Sequence, residues 1–256
     1  MTEKRLTAVI LAGGRGTRLG ELAEETPKPL LNVHGNPLLG YGVGFALALG
    51  ATRVVIAAGH MAEKIDEARK KFKVDTVLVT DRISQPGKRI LGVLAARDFV
   101  EGDMVVFDAD YIFHRDVADA VRNGTYSDVT VHAADSKSSW MAQDVVVRFA
   151  DQYRLVDMVK TEGTKERLEA NELYFNSLVY CPEHVLEEFF LVAERIAAIE
   201  GPGGQHLEDA VLAFNKNGSV RVRNLGKPLW VEVDTPAELD SARRFVETYA
   251  GAVPRA

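Results

Sequence analysis

A glycine-rich segment near the start of the chain carries clustered positive charge. It reads LAGGRGTRLGELAEETPKPL over residues 11–30, and it begins where a short β-branched run, Thr7–Ala12, ends. Glycines at the carboxyl end of a strand let backbone N–H groups approach phosphate oxygens closely. Arg15, Arg18 and Lys28 add the side-chain cations that a triphosphate would require. The segment predicts a phosphate-binding loop at the carboxyl edge of a parallel sheet.

Two common phosphate-binding motifs do not fit this segment. A Walker loop requires a Lys-Ser or Lys-Thr pair after its glycines, and no such pair follows here. A dinucleotide fingerprint would continue from Gly14 and Gly16 to a third glycine, but Leu19 occupies that place, and the second predicted strand lacks a ribose-binding acid at its end. The alternative is a flexible surface connection, which does not explain a lysine set between two prolines.

Two later strands end in carboxylates. In VVFDAD, alternation places Asp108 and Asp110 on one face of an extended strand, and in WVEVDT it places Trp230, Glu232 and Asp234 on one face. Neighbouring carboxylates repel one another unless a cation or a hydrogen-bond donor lies between them. Oxygen ligands of this kind suit magnesium, which commonly takes one or two carboxylates together with substrate phosphates. Asp234 has an alternative role as a helix N-cap, because a proline follows shortly after it.

The glycine-rich segment and the residues after it resemble a family signature. LAGGRGTRL followed by PKPLLNVHGNPLL is similar to the nucleotidyltransferases of the sugar-1-phosphate and phosphoalcohol class, over most of the chain. The resemblance implies that Arg18 and Lys28 compensate charge around the reacting phosphorus, and that Asp110 and Asp234 are the ligands of a Mg²⁺ cofactor. The predicted nucleotide-binding residues are Leu11, Ala12, Gly13, Gly14, Arg15, Gly16, Thr17, Gln85, Gly92 and Asp108.

The loop at residues 81–92 is predicted to help choose the base. Gln85 could contact a Watson–Crick edge and Gly92 could let the base lie close to the backbone, although a solvated turn fits the same residues. Asp108 could orient a metal-bound water or hold the loop. The DAD and WVEVDTPAEL segments are more similar to cytidylyltransferases of small phosphoalcohols and phosphonates than to sugar enzymes, so CTP is the favoured donor.

The acceptor is predicted to bind in the second half of the chain. Lys160 matches a lysine that relatives use to hold the acceptor phosphate, with an exposed hairpin lysine as the alternative. Trp140 and Tyr174 could border the acceptor, and aromatic rings there would suit a quaternary ammonium, unless the rings serve only for packing. The expected acceptor is a small phosphorylated alcohol or a phosphonate.

The expected reaction needs no nucleophilic side chain. An acceptor phosphate is already anionic near neutral pH, so its oxygen can attack the α-phosphorus and expel pyrophosphate without a general base. The six histidines are scattered, and no Ser/His/Asp arrangement is evident. A hexose-1-phosphate uridylyl-, thymidylyl- or guanylyltransferase is the alternative enzyme. A non-catalytic nucleotide-sensing subunit is the alternative outside catalysis.

Composition narrows the class of protein. The 256 residues carry a formal net charge of −6, which argues against a nucleic-acid partner. The single cysteine, Cys181, cannot form an internal disulfide, and no segment has the apolar length of a signal peptide or a membrane span. We expect a cytoplasmic protein without a membrane partner. Homo-oligomerisation is possible but not readable from the sequence.

The hydrophobic pattern predicts an α/β fold. Near-continuous apolar strands alternating with helices favour a Rossmann-like three-layer sandwich with a mostly parallel central sheet and helices on both faces. We expect one domain over residues 1–256, with a small antiparallel β insertion at about 135–181 that forms an acceptor lobe. The predicted strands include Arg53–Ala58, Thr76–Thr80, Met104–Phe107, Val129–Ala133, Asp144–Phe149, Tyr153–Lys160, Tyr174–Tyr180, Val220–Asn224 and Trp230–Val233. The predicted helices are Pro37–Leu49, Ala62–Lys71, Lys88–Phe99, Arg115–Arg122, Glu183–Ala198, His206–Asn215 and Pro236–Tyr249.

Overall fold

The predicted strands and helices are present, and three short strands that were not predicted accompany them, at Asn32–Val33, Asn36–Pro37 and Tyr111–Phe113. The computed structural model describes residues 5–80, 88–136, 145–161, 167–199, 206–227 and 229–256. The strands are β1 Leu6–Ala12, β2 Asn32–Val33, β3 Asn36–Pro37, β4 Arg53–Ala58, β5 Thr76–Val79, β6 Asp103–Asp108, β7 Tyr111–Phe113, β8 Val129–Ala134, β9 Val145–Ala150, β10 Arg154–Lys160, β11 Glu172–Cys181, β12 Val220–Asn224 and β13 Trp230–Glu232. The helices are α1 Leu38–Ala48, α2 Ala62–Arg69, α3 Arg89–Ala96, α4 Arg115–Arg122, α5 Leu186–Ala197, α6 Leu207–Phe214 and α7 Pro236–Thr248.

Nine strands form one sheet, in the order β5-β4-β1-β6-β11-β8-β12-β10-β9. The first four in this order are parallel, β11 runs antiparallel between β6 and β8, and β12 is parallel to β8. The register of β1 pairs Leu11 with Asp108 at the end of β6. The glycine-rich segment and the DAD sequence therefore leave the sheet side by side at its carboxyl edge, where open α/β sheets bind ligands.

Helices cover both faces of this sheet. Alternate residues of β1 point to opposite faces, so Val9 belongs to one core with Ile90 of α3 and Phe189 of α5, while Ile10 belongs to a second core with Leu39 of α1. Every residue of β1 is buried, which explains why its sequence is continuously apolar instead of alternating. These layers confirm the predicted Rossmann-like three-layer fold.

A third, smaller core holds the C-terminal helix against strand β13. In it, Val231 and Val233 pack with Leu19 and with Leu239 of α7. Strand β13 pairs antiparallel with β7 in a separate two-stranded ladder. The N-cap of α7 is Thr235, whose hydroxyl accepts from the Glu238 N–H. Thr235 therefore takes the N-cap role that was the alternative for Asp234, which leaves the Asp234 carboxylate available for other contacts.

The predicted antiparallel hairpin is present as β9 and β10. At one end of the pairing Val145 lies opposite Lys160, and at the other end Ala150 lies opposite Arg154. Strand β11, at the end of the predicted insertion, pairs with β6 and β8 inside the large sheet and also with β9. These pairings join β11, β8, β12, β10 and β9 in a ring. The β8–β11 register shifts between Phe175 and Val179, around Ser177, whose φ is +61°.

None of the helices within the described residues has the length and apolar character that crossing a membrane requires.

A fully buried histidine links stability to pH. The side chain of His132 in β8 is inaccessible to solvent, with Nε2 2.9 Å from the Tyr126 hydroxyl and Nδ1 3.3 Å from the Leu178 carbonyl oxygen. Burial lowers the pKa of His132 to about 3. The unfolded chain binds a proton at this residue below about pH 6.5, whereas the folded protein does not until about pH 3. Stability must therefore fall as the pH falls through this window.

We expect His132→Gln to flatten the acid limb of the stability profile. The wild-type contribution of this residue has a slope of up to about 1.4 kcal/mol per pH unit, and a glutamine cannot titrate. Urea denaturation between pH 7 and pH 4.5 measures the slope, whatever the absolute stability of the variant. The exposed His184, changed to Gln, is the control and should retain the wild-type slope. Equal slopes in wild type and His132→Gln would contradict the assignment.

Candidate active site

One pocket opens at the carboxyl edge of the parallel strands, where β1, β6 and β13 end. The glycine-rich segment forms one wall, and the residues that follow β6 and β13 form the other. The lining residues are Leu11, Ala12, Gly14, Gly16, Thr17, Arg18, Lys28, Pro29, Ala109, Asp110 and Asp234. The fold thus brings together nine of the residues that the sequence singled out.

The glycines of this wall have different structural roles. Gly16 has a φ of +67°, and a Cβ atom placed there would lie 3.0 Å from the Lys28 Cβ and 3.2 Å from the Leu19 Cδ1. Gly16 is therefore required by the backbone conformation and by its close approach to Lys28. At Gly14, no atom lies within 4 Å of an added Cβ. The missing side chain at Gly14 instead leaves open space in the pocket.

Lys28 is buried and binds two carboxylates at once. Its Nζ donates to Asp110 Oδ2 at 2.5 Å and also to Asp234 Oδ1, and the residue is only 5% exposed. Pro27 is extended before it, and a short 3-10 turn begins at the lysine. Burial alone would lower the pKa of Lys28, but the nearby Asp110, Asp234 and Glu232 carboxyl groups raise it well above its usual value. The ammonium therefore stays charged across the physiological pH range.

Asp234 is held by a cation on each of its carboxylate oxygens. Lys28 contacts Oδ1, and Arg18 Nη2 lies 2.5 Å from Oδ2. Its backbone N–H donates to Glu238 Oε2 at 2.8 Å, which fixes the start of α7. Burial raises the pKa of Asp234, but the charges of Lys28 and Arg18 outweigh this effect and lower the pKa below its usual value.

A third carboxyl group, Glu232, completes an acidic cluster with Asp110 and Asp234. One oxygen from each of the three residues lies within 4.8 Å of the others. Burial, together with Asp110 and Asp234, raises the pKa of Glu232 well above its usual value, and the Tyr111 hydroxyl donates to its Oε2 at 2.6 Å. Strand alternation predicted that Glu232 and Asp234 share a face, but it predicted no role for Glu232. The reason is that Glu232 and Asp110 belong to segments that are far apart in the chain.

The cluster has the chemistry of a site for a hard divalent cation. All its donors are carboxylate oxygens, which suit Mg²⁺. Among the residues that the structure describes, Asp110 Oδ1 is a buried oxygen without a hydrogen-bond partner. A buried acceptor of this kind is costly unless another group satisfies it, and a bound cation would do so.

Asp108 does not share a face with Asp110. Strand β6 ends at Asp108, so Ala109 and Asp110 lie in a turn and the alternation of an extended strand no longer applies. The Asp108 carboxylate is buried outside the pocket lining and accepts from Ser177 Oγ at 2.5 Å and from Arg89. Burial raises the pKa of Asp108 to about 6. The positive charge of Arg89 opposes this increase, and the negative charge of Asp110 adds to it.

Arg89 connects three elements through this carboxylate. It lies at the start of α3 and forms ion pairs with Asp108 of β6 and with Glu208 of α6. No role was predicted from the sequence for Arg89, although it lies within residues 81–92, or for Glu208, because the two residues are 119 positions apart.

The remaining predicted residues lie in several places. Gly13 and the exposed Arg15 belong to the glycine-rich wall, whereas Gly92 is buried within α3. Tyr174 is buried in β11, and Lys160 is exposed at the end of β10, neither of them lining the pocket. Gln85 and Trp140 lie outside the described residues.

A matched pair of variants distinguishes a glycine that the backbone conformation requires, Gly16, from a glycine that borders open space, Gly14. We expect Gly16→Ala to lower the free energy of unfolding by about 1–3 kcal/mol, because its positive φ and the contact with Lys28 disfavour a Cβ. Gly14→Ala should leave stability within about 0.5 kcal/mol of wild type. Chemical denaturation measures both. Equal losses of unfolding free energy in Gly16→Ala and Gly14→Ala would contradict the different roles of the two glycines.

Comparisons with known proteins agree with this geometry. A model of the MobA-like NTP transferase domain matches residues 8–212. The CMP-5'-(3-aminopropyl)phosphonate synthase of Streptomyces rubellomurinus is 29% identical over 245 residues, which are 90% of this chain and 37% of that protein. The choline-phosphate cytidylyltransferase of Streptococcus pneumoniae is 28% identical over 155 residues, which are 60% of this chain and 63% of that protein. The chain thus spans less than two thirds of the length of each of these relatives.

Solved structures share the fold. The inositol-1-phosphate CTP transferase from T. maritima superimposes with a TM-score of 0.77 at 16% identity, covering 96% of this chain and 98% of the other. The resemblance to nucleotidyltransferases, noted from the glycine-rich and Pro-Lys-Pro segments, is thereby confirmed. The chain belongs to the family of the MobA-like NTP transferase domain.

Proposed function

We propose that this protein transfers a cytidylyl group from CTP to a small phosphorylated alcohol or a phosphonate and releases pyrophosphate. The observation that carries the proposal is the convergence of Lys28, Arg18, Asp110 and Asp234 on the glycine-lined pocket. The names of the two relatives, a phosphonate synthase that forms a CMP product and a choline-phosphate cytidylyltransferase, support the donor and the class of acceptor.

The glycine-rich wall would hold the triphosphate. The open space at Gly14 gives phosphate oxygens room to approach the backbone, and Arg18 is half exposed at the mouth of the pocket. Lys28 carries a charge that the surrounding carboxylates keep in place. Arg18 and Lys28 would lower the repulsion between the triphosphate and an anionic acceptor, and would stabilise the charge that develops at the α-phosphorus.

Asp110, Glu232 and Asp234 would hold Mg²⁺. When bound, the cation would neutralise part of the phosphate charge and orient the phosphate groups. No side chain is required to remove a proton, because the attacking phosphate or phosphonate oxygen is already ionised near neutral pH. The contribution of this chain is therefore to bind and align two anions, which is compatible with the scattered positions of its histidines.

The acceptor would approach from the side of the β9–β10 hairpin. Lys160 is exposed at the end of β10, where its ammonium is accessible to an acceptor phosphate. We retain Lys160, Trp140 and Tyr174 as proposed acceptor residues, and residues 135–181 as the proposed acceptor lobe. Tyr174 is buried, so its role would be to shape the lobe more than to bind a solvent-exposed group.

A panel of donors and acceptors tests the reaction. Pyrophosphate release is measured with CTP, UTP, dTTP and GTP in the presence of Mg²⁺, each with phosphocholine, inositol 1-phosphate, 2-aminoethylphosphonate and glucose 1-phosphate. We expect the highest rate with CTP and one of the first three acceptors. A preference for another triphosphate with glucose 1-phosphate would favour a sugar nucleotidyltransferase. Thermal stabilisation by nucleotides without turnover would favour a nucleotide-sensing subunit.

Asp110→Asn tests the proposed metal-binding role. The change removes one carboxylate charge but keeps the size of the side chain, so we expect kcat/KM to fall by at least about a hundredfold. Asp240→Asn is the control, because Asp240 is exposed in α7 and pairs only with Arg243 in the described structure; its activity should stay within about twofold of wild type. Circular dichroism shows whether each variant is folded. Wild-type activity in folded Asp110→Asn would exclude Asp110 as a required ligand.

A further inference from the structure

The cationic side chains of the site contact three of the four aspartate oxygens that could bind the metal. Asp110 and Asp234 together have four carboxylate oxygens. Lys28 contacts one oxygen of each residue, and Arg18 contacts the second oxygen of Asp234. Only Asp110 Oδ1 remains, a buried oxygen with no hydrogen-bond partner within the described ranges.

The resulting group of charges is internally compensated. The two aspartates contribute two negative charges, and Lys28 with Arg18 contributes two positive charges. Each cation is already within ion-pair distance of its carboxylate partner. The charges of these two aspartates are therefore already matched while both cationic side chains stay in place, and Glu232, the third carboxyl group of the cluster, accepts a hydrogen bond from the Tyr111 hydroxyl.

Lys28 and a divalent cation cannot share this position. Mg²⁺ binds oxygen ligands at about 2.0–2.1 Å. The Lys28 Nζ already lies 2.5 Å from Asp110 Oδ2 and in contact with Asp234 Oδ1, so it occupies the space between these two oxygens. A metal in that space would place a divalent charge against an ammonium group. One of them must leave for the other to enter.

A nucleotide in the pocket would bring the ammonium group a further anionic partner. Lys28 lines the same pocket as Gly14, Gly16 and Thr17, where the triphosphate of the proposed reaction would lie. A lysine side chain is a long flexible stem with a compact charge, so its ammonium can move from carboxylates to phosphates without a backbone change.

We propose that Lys28 holds the place of the divalent cation between Asp110 and Asp234 until a nucleoside triphosphate draws its ammonium group away. This inference deepens the proposed function and rests on it. Nucleotide and metal then bind with positive cooperativity, because each favours the arrangement that the other requires, and the coupling is reciprocal. Lys28 is thus both a phosphate ligand and the residue that makes metal binding conditional on nucleotide.

The test measures binding of Mn²⁺ alone, followed by the electron paramagnetic resonance signal of the free ion. Mn²⁺ prefers the same oxygen ligands as Mg²⁺. We expect wild type to bind Mn²⁺ weakly, and Lys28→Met and Lys28→Gln to bind it about tenfold more tightly, a typical size for coupling between sites. Lys64→Met removes the same charge from an exposed position on α2 and should bind Mn²⁺ as wild type does.

Two further measurements keep the result interpretable. The gained affinity should disappear in the double variant with Lys28→Gln and Asp110→Asn, because the new site requires the Asp110 carboxylate. Mn²⁺ should also raise the melting temperature of Lys28→Gln more than that of wild type, since binding to the folded state stabilises it. The glutamine amide can still donate hydrogen bonds to the carboxylates, so this variant keeps the cluster partly satisfied if Lys28→Met does not fold.

Equal Mn²⁺ affinity in wild type and both lysine variants would overturn the inference. So would tight binding that persists after Asp110→Asn. These results are independent of turnover. Wild-type pyrophosphate release without a gain of Mn²⁺ affinity in the variants would refute only the place-holding role of Lys28. A gain of affinity in a protein that turns over no donor would refute only the proposed reaction.

Discussion

The buried ammonium group of Lys28 is the interaction on which the arrangement of the site depends. It joins the glycine-rich segment to two carboxylates that lie 82 and 206 positions away in the chain. Without a cation between them, Asp110, Glu232 and Asp234 would place three acidic groups within 4.8 Å of one another in a poorly solvated region. The lysine is itself buried, so its charge also depends on the carboxylates. Neither group would be stable there without the other.

The large sheet determines where these charges can meet. Parallel pairing of β1 with β6 aligns Leu11 with Asp108, so the glycine-rich segment begins beside the turn that carries Asp110. The β7–β13 ladder pairs Glu232 with Tyr111, and this pairing brings the second acidic strand to the same turn. Packing of α7 on Val231 and Val233 then holds that strand in place. Apolar cores therefore compensate the cost of gathering charges at one edge.

The same region contains two charge networks with different surroundings. Asp110 faces the pocket and is paired with Lys28, whereas Asp108, two residues earlier, is paired with Arg89 behind it. The Arg89 network joins α3, β6 and α6, and it also reaches Ser177 at the irregular point of β11. This second network neutralises a carboxylate close to the pocket and connects the sheet to the helices on one face. The proposed binding of two anionic substrates would benefit from this arrangement, because an uncompensated carboxylate nearby would oppose it.

The sequence by itself determined the fold class and most of the residues that line the pocket. Continuous apolar strands predicted a sheet covered on both faces, and the glycine-rich segment with its cations predicted the loop at its carboxyl edge, because both depend on local spacing. Only the tertiary structure separated Asp108 from Asp110, added Glu232 to the acidic cluster, and paired Arg89 with Glu208. These features depend on which distant segments become neighbours. The carboxylate partners of Lys28 and the pairing of Arg89 with Glu208 are selected by chain packing across 80 or more positions, and no local periodicity contains that information.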